Sequence, residues 1–335
     1  MPSIRDVARL AEVSHQTVSR VLNQHPSIRP ETKQRVLQAM ETLQYRPNRA
    51  ARALVTSRSR TIGVLMATTG EYGPSSSVAA IEDAARREGY WVNTANLAGT
   101  TPEAIVEAVE HLMEQAIEGL VVIAPQVRVF NVLAELSLGV PFVSLQSATG
   151  ALRTELAADQ VQGARIATEH LIELGHHEIV HLAGPRDWIE AESRMQGFLD
   201  AISDADLPTR PPILGDWTAD FGYFAGRELA RSRDFTAVFA ANDLMAIGVM
   251  HGFRDAGLDV PRAVSVVGFD DLPVAPHVWP PLTTVHQDFA ELGRRTMALL
   301  LAEMREEPTA LGAVIEPRLV IRESTASPLA VRAVR

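Results

Sequence analysis

Apolar positions in the first 45 residues recur with a helical period. Ile4, Val7, Ala8 and Ala11 fall at i, i+3, i+4 and i+7, one stripe along a helix of about two turns. Glu12 and Val13 lead into Ser14, whose hydroxyl suits the cap of a following helix. That helix is predicted from about His15 to Asn23, with Val18, Val21 and Leu22 turned inward. A third helix is predicted over 31–44, behind Pro30, with Val36, Leu37, Met40 and Leu43 sharing a face. Two short helices around a tight turn, backed by a third, make a helix-turn-helix. From Thr61 the pattern changes. The β-rich runs TIGVLMA, WVNTANL, GLVVIA and VPFVSL alternate with helical stretches near 76–89 and 103–117. A second series, EIVHLA, PILGD, TAVFAA and SVVGFD, alternates with helices near 160–174, 189–205, 219–231 and 243–256. Alternation of this kind predicts open, doubly wound parallel sheets. Two series predict two lobes, with a ligand bound beyond the C-terminal strand ends.

Charge divides the chain in the same place. Its net charge is −10, yet the first 60 residues hold eleven Lys/Arg against four acids, which is +7 and leaves −17 on the remaining 275. A basic head on an acidic body predicts a polyanion as partner of the head and something else for the body. Apolar residues at 46% and charged residues at 21% are globular values that argue against wholesale disorder. No apolar run approaches the roughly 18 residues that cross a bilayer. The start, MPSIRDVARLAEV, lacks the apolar stretch of a secretory signal, so a cytoplasmic protein is expected. The absence of cysteine removes disulfides and thiolate chemistry.

A helix-turn-helix enters the major groove by the N-terminal end of its second helix. Here that end carries Ser14, His15, Gln16 and Thr17, with Ser19 and Arg20 one turn on. Gln16 suits an adenine edge and His15 or Arg20 guanine acceptors, while Thr17, Ser19 and Asn23 suit phosphate and sugar contacts. In PNRAARALVT, residues 47–56, Asn48 can cap a helix too short to be stable alone, so its helical state should depend on a partner. In the body, Gln146, Arg194, Trp217, Asn242 and Asp270 sit at strand ends. Polar groups that bond hydroxyls, together with an indole that stacks on a pyranose, are the make-up of a sugar pocket.

Enzymatic motifs do not hold up. His177-Glu-Ile-Val-His181 spells H-E-x-x-H, but zinc chemistry needs it on a helix, and IVHLAGP reads as a strand, where residues four apart lie roughly 13 Å from each other. No nucleotide-binding glycine motif follows the first body strand, no G-x-S-x-G occurs, and the only lysine is Lys33. No catalytic residue, metal or cofactor is expected.

The runs DVARLAEVSHQTVSRVLN and YRPNRAARALVTSRSRTIGVL resemble the head of the lactose/galactose repressor family of bacterial transcription factors, and the similarity continues through the body. The resemblance implies an all-α helix-turn-helix head over 1–46, a hinge helix and linker over 47–60, and a periplasmic-binding-protein-like α/β core over 61–335. In that core the first lobe would span about 61–158 plus 289–322, and the second about 159–288. It implies that Leu54 wedges into the minor groove from a hinge helix paired across a dimer, with Arg49 and Arg52 on phosphates. It also places Arg194, Asn242 and Asp270 on effector-contacting positions, Trp217 in a matching GDW segment and Gln287 of LTTVHQDF on the cleft. Three positions depart from the pattern: Glu12 stands where the family usually has glycine, Gln146 where relatives carry an acid, and Ala67 where serine is usual.

The implied function is sequence-specific repression of transcription, with affinity for double-stranded operator DNA controlled by a small, galactoside-like sugar, acting as inducer, held between the lobes. A soluble sugar-binding or transport receptor without a DNA role is the alternative. The tail STASPLAVRAVR has no heptads, so a homodimer is expected, formed mainly by the lobe nearer the head, with no membrane association.

Overall fold

The computed structural model describes residues 2–22, 25, 27–45, 58–66, 71–97, 99–124, 126–145, 155–308 and 314–328. Asn23, Asn48, Arg49, Arg52, Leu54, Ala67 and Gln146 lie outside those residues. The chain divides into two units, Met1–Arg60 and Thr61–Arg335.

The first unit contains α1 (Ile4–Leu10), α2 (His15–Leu22) and α3 (Pro30–Thr42). Ser3 and Asp6 cap α1 reciprocally, each side chain reaching the other's backbone N–H. Ser14 caps α2 by accepting the Thr17 N–H at 3.1 Å. Val7, Ala8, Ala11, Val18, Val21, Val36 and Ala39 form the buried cluster between the helices. The expected inner face of α3 needs one correction: Leu37 is 49% exposed and Ala39 is buried instead. Positions 36, 39, 40 and 43 keep the i, i+3, i+4, i+7 spacing, and residue 37 falls about 100° away from Val36. The turn after α1 places Glu12 at φ +52°, the left-handed region that glycine enters without cost. Glu12 therefore keeps the turn geometry and accepts the strain, about 1 kcal/mol.

The second unit holds two six-stranded sheets. In the first, β1 (Thr61–Met66), β2 (Trp91–Asn96), β3 (Gly119–Ile123), β4 (Phe142–Leu145), β5 (Glu155–Ala158) and β11 (Val314–Ile315) lie in the order β11-β5-β4-β3-β1-β2, all parallel. In the second, β6 (Ile179–Ala183), β7 (Ile213–Leu214), β8 (Ala237–Ala240), β9 (Ser265–Asp270), β10 (Thr283–His286) and β12 (Arg318–Val320) lie in the order β12-β10-β9-β8-β6-β7. Only β12 runs antiparallel. This corrects the expected lobe boundary. The resemblance extends the first lobe to 322, but Arg318–Val320 closes the second sheet, and the chain changes lobe at Glu316–Pro317.

Helices cover both faces of each sheet. The first lobe carries α4 (Tyr72–Arg87), α5 (Pro102–Glu114), α6 (Val127–Glu135) and α11 (Phe289–Met304). The second carries α7 (Gln160–Glu173), α8 (Ile189–Asp204), α9 (Ala219–Ser232) and α10 (Asp243–Asp255). Strand alternation divides each core into two layers. Along β3, Leu120 and Val122 pack with Ile105 and Leu112 of α5, whereas Val121 and Ile123 pack with Ile81 of α4 and Leu300 of α11. Each such fully buried side chain contributes about 1.5–3 kcal/mol. In the second lobe, α9 and α10 meet backbone to backbone: a Cβ on Gly222 would strike the Met245 carbonyl, and one on Gly248 the Ala219 carbonyl. That contact fixes the two helix starts that border the cleft.

The chain passes between lobes at three places: Asp159 between β5 and α7, Gln287–Asp288 between β10 and α11, and Glu316–Pro317 between β11 and β12.

Candidate nucleic-acid interface and ligand cleft

On α2, His15, Gln16 and Arg20 have exposed side chains, and Thr17 and Ser19 are half-buried. Ser14 and Thr17 are engaged with each other, Oγ to Oγ1 at 2.9 Å, in addition to the cap. Ser14 thus shapes the helix start, and His15, Gln16 and Arg20 are the exposed members of the set. Ser14 to Thr17 stand at the start of α2, and Ser19 and Arg20 lie one turn further on.

The cleft of the core is bordered by Glu71, Tyr72, Gly73 and Pro74 of the first lobe. From the second lobe come Trp188, Glu190, Arg194, Trp217, Asn242, Asp270 and Gln287. Five of the six expected effector residues converge here; the sixth, Gln146, lies outside the described residues. Four side chains form a closed ring. Arg194 Nε donates to Gln160 Oε1 at 2.8 Å, Gln160 Nε2 to Gln287 Oε1 at 2.8 Å, and Gln287 Nε2 to Asp270 Oδ1 at 2.8 Å, while Arg194 Nη2 lies 3.4 Å from that same oxygen. Arg194 also donates to the Ala241 carbonyl and lies 3.9 Å over the Phe269 ring. Two ring members, Gln160 and Gln287, sit at or beside interlobe crossings. Asp270 has φ +110°, a strained backbone of the sort that accumulates at functional sites.

Electrostatics follow from burial. Desolvation pushes Asp270 up to about 6 despite Arg194 and the Gln287 hydrogen bond, and pushes Glu190 up to about 7. Burial also lowers Arg194, against the pull of Asp270 and Glu190, but a guanidinium stays charged in either case. Glu190 Oε2, Trp217 Nε1 and Glu71 Oε2 are buried with no hydrogen-bond partner among the described residues. Buried polar atoms are normally paired, so three orphans around one cleft point to a ligand.

Two expected roles change. Trp217 is only 6% exposed, lies edge-on to Trp188 with centroids 5.5 Å apart and packs against Gly184, so it offers the cleft an N–H more than a free face. Half-buried Trp188 is the better stacking surface. Asn242 caps α10, accepting from Met245 N at 2.9 Å and donating to the Trp217 carbonyl at 2.9 Å. Its amide holds the cleft wall together. Glu71, Tyr72, Gln160, Trp188 and Glu190 escaped sequence reasoning. For Glu190 a signal existed, because it precedes Arg194 by four residues and shares its helix face. The H-E-x-x-H pair ends on β6: His181 is buried, stacked between Phe198 and Phe239 with centroids 4.9 and 4.8 Å away, while His177 is exposed.

Residues 3–48 match the profile of bacterial regulatory proteins of the lacI family, and residues 168–325 match a periplasmic binding protein-like domain. The HTH-type transcriptional repressor PurR of Pasteurella multocida (strain Pm70) is 32% identical over 342 residues, covering 98% of this chain and 100% of the relative. The chain belongs to the lacI family. Among solved structures of this family, the lac repressor dimer bound to operator and the anti-inducer ONPF superposes with a TM-score of 0.86 at 33% identity, over 97% of this chain and 99% of the other. The complex of the transcriptional regulator CelR with cellobiose superposes with a TM-score of 0.71 at 31% identity, over 97% and 100%. This lacI-family member is therefore a transcriptional repressor with a DNA-binding head and a ligand-binding core. No helix of the described residues is long and apolar enough to cross a membrane.

Proposed function

We propose that the repressor is a cytoplasmic homodimer that releases its operator when a small saccharide binds in the core cleft, without any catalytic step. The supporting observation is the cleft itself, with three buried polar atoms lacking partners among the described residues beside a closed polar ring. Sugar hydroxyls, which donate and accept, are the complementary chemistry, and Trp188 supplies an aromatic surface. The binding of cellobiose by the CelR relative supports the same class.

Arg194, Asp270 and Gln287 contact the effector, Trp217 and Asn242 border it, and Gln146 joins them. On the DNA, His15, Gln16 and Arg20 read bases, Ser14, Thr17, Ser19 and Asn23 fix register, and Asn48, Arg49, Arg52 and Leu54 act from the hinge. Coupling needs an effector that binds the DNA-free arrangement more tightly than the DNA-bound one. The route runs through Gln160 and Gln287, because a ligand that pulls on the ring pulls on two of the three interlobe crossings. The lac repressor relative is a dimer. The homodimer forms mainly through the first lobe.

The test begins by selecting an operator from random duplexes with the full-length protein. Mono- and disaccharides are then titrated against the bound duplex by fluorescence anisotropy. At least one should lower operator affinity 5-fold or more; a complete panel without effect overturns the sugar-controlled reading. A transport receptor without a DNA role would select no duplex sequence at all.

A further inference from the structure

Two of the helix N-termini that border the cleft, one from each lobe, lack a side-chain cap. Glu71 is the N-cap residue of α4, yet its side chain makes no capping hydrogen bond. Glu190 lies in the first turn of α8, whose N-cap residue, Trp188, also provides no side-chain cap. Bare helix N-termini are anion sites, because unpaired backbone N–H groups and the helix dipole both favour negative charge. In this chain each of those positions carries a carboxylate of its own. The Glu190 carboxylate lies in the first turn of α8, so the end of that helix that favours negative charge already carries one.

The remaining charges reinforce the effect. Asp270 is a third carboxylate on the cleft, and Arg194 is the only cation that lines it among the described residues. Arg194 is spoken for by Gln160, the Ala241 carbonyl and Asp270, which leaves little positive potential for a ligand. Meanwhile Glu71 Oε2 and Glu190 Oε2 are buried without partners among the described residues and call for donors, and the indole N–H of Trp217 calls for an acceptor. Glu190 and Trp217 are 5% and 6% exposed, so water at the surface does not meet those needs.

We propose that Glu71 and Glu190, one from each lobe, form a carboxylate clamp that takes hydroxyl donors of the effector and excludes ligands bearing phosphate or carboxylate groups. The clamp is a specificity device that depends on the cleft being the effector site. A hydroxyl-rich ligand satisfies both oxygens, and because they belong to different lobes, the ligand joins the lobes. A sugar phosphate would set its dianion against carboxylates in a site shielded from water, where like-charge repulsion is strongest.

The experiment is calorimetric titration of the full-length protein at pH 8.5, above the value of about 7 to which burial raises Glu190, so that its carboxyl is ionised, with glucose, galactose, lactose and cellobiose, and with glucose 6-phosphate and galactose 6-phosphate. Each is repeated on Glu71→Gln and Glu190→Gln, with thermal melting to confirm folding. A neutral sugar should bind at least 100-fold more tightly than either phosphate. Each glutamine variant should narrow that ratio by 10-fold or more, since glutamine keeps an acceptor and removes the charge. Equal or tighter binding of a sugar phosphate by the wild type overturns the clamp and leaves the cleft as an effector site. A neutral preference that neither variant alters also overturns it. Failure of all six sugars to bind overturns the saccharide reading, and the clamp with it.

Discussion

In the head, His15, Gln16 and Arg20 stand exposed on an eight-residue helix held by a small cluster around Val7, Val18 and Val36. In the core, Arg194, Asp270, Gln160 and Gln287 are buried and closed into a ring of hydrogen bonds over Phe269. The head's polar groups are solvated until DNA supplies partners, so removing one affects affinity and hardly touches stability. The core's groups are desolvated on folding and satisfy each other, so removing one leaves the rest stranded. A binding surface and a binding cavity built by one chain thus respond oppositely to the same kind of substitution.

The sharpest way to break that contrast is Arg194→Met. It strands Asp270 and Gln160 and should destabilise the core by about 3–5 kcal/mol, the usual cost of removing one partner of a buried ion pair. Urea unfolding of the core unit reads it, and a loss below 1 kcal/mol would mean the ring is not structural. Glu190 tests the same point by pH. Folding raises its carboxyl from 4.5 to about 7, so the native protein holds a proton that the unfolded chain releases between those values. Its contribution therefore declines as pH rises from 4.5 to about 7 and is flat above. Relative to Glu190→Gln, the wild type should gain up to roughly 3 kcal/mol between pH 7.5 and pH 4.5, at about 1.4 kcal/mol per pH unit. Parallel stability profiles would exclude the proton uptake.

The head should behave otherwise. Gln16→Ala should weaken binding to the selected operator by about 1–3 kcal/mol with an unchanged core melting temperature. Arg20→Ala should do the same and, if Arg20 neutralises a phosphate instead of reading a base, lower the log–log salt slope by about 0.9. Gly248→Ala sharpens the comparison from the packing side. Its Cβ meets the Ala219 carbonyl, and overpacking of about 1–3 kcal/mol should exceed the roughly 1 kcal/mol gained in helix propensity. The smallest effect is Ser14→Ala, about 1 kcal/mol of helix stability lost with the cap, visible as faster hydrogen exchange in α2.

What the sequence revealed follows the same division. Helix period and cap chemistry located α1, α2 and α3 to within two residues, because local patterns determine short helices. In the core, runs such as GLVVIA and SVVGFD marked buried strands, while α6, α11, β5, β10, β11 and β12 went unassigned. β12 is three residues long and owes its strand character to pairing with β10, a contact invisible along the chain. Arg194, Asp270 and Gln287 were legible as polar groups at strand ends or in a known motif. That Asn242 is a cap and that Trp217 turns its faces inward depends on tertiary neighbours, Met245 and Gly184 among them. Glu71 was hidden because its significance lies in a lobe packed opposite, more than a hundred residues away.

The last passage of the chain between lobes is only two residues long. β11 ends at Ile315 on one sheet and β12 begins at Arg318 on the other. Glu316 and Pro317 offer about three soft torsions between them, since the proline ring locks one. The Pro317 ring, moreover, abuts α7 beside Gly163. A joint so short and so braced behaves as a stiff pivot: it tolerates a change of angle between the sheets and resists their sliding apart, which channels any motion of the core into a hinge-like swing.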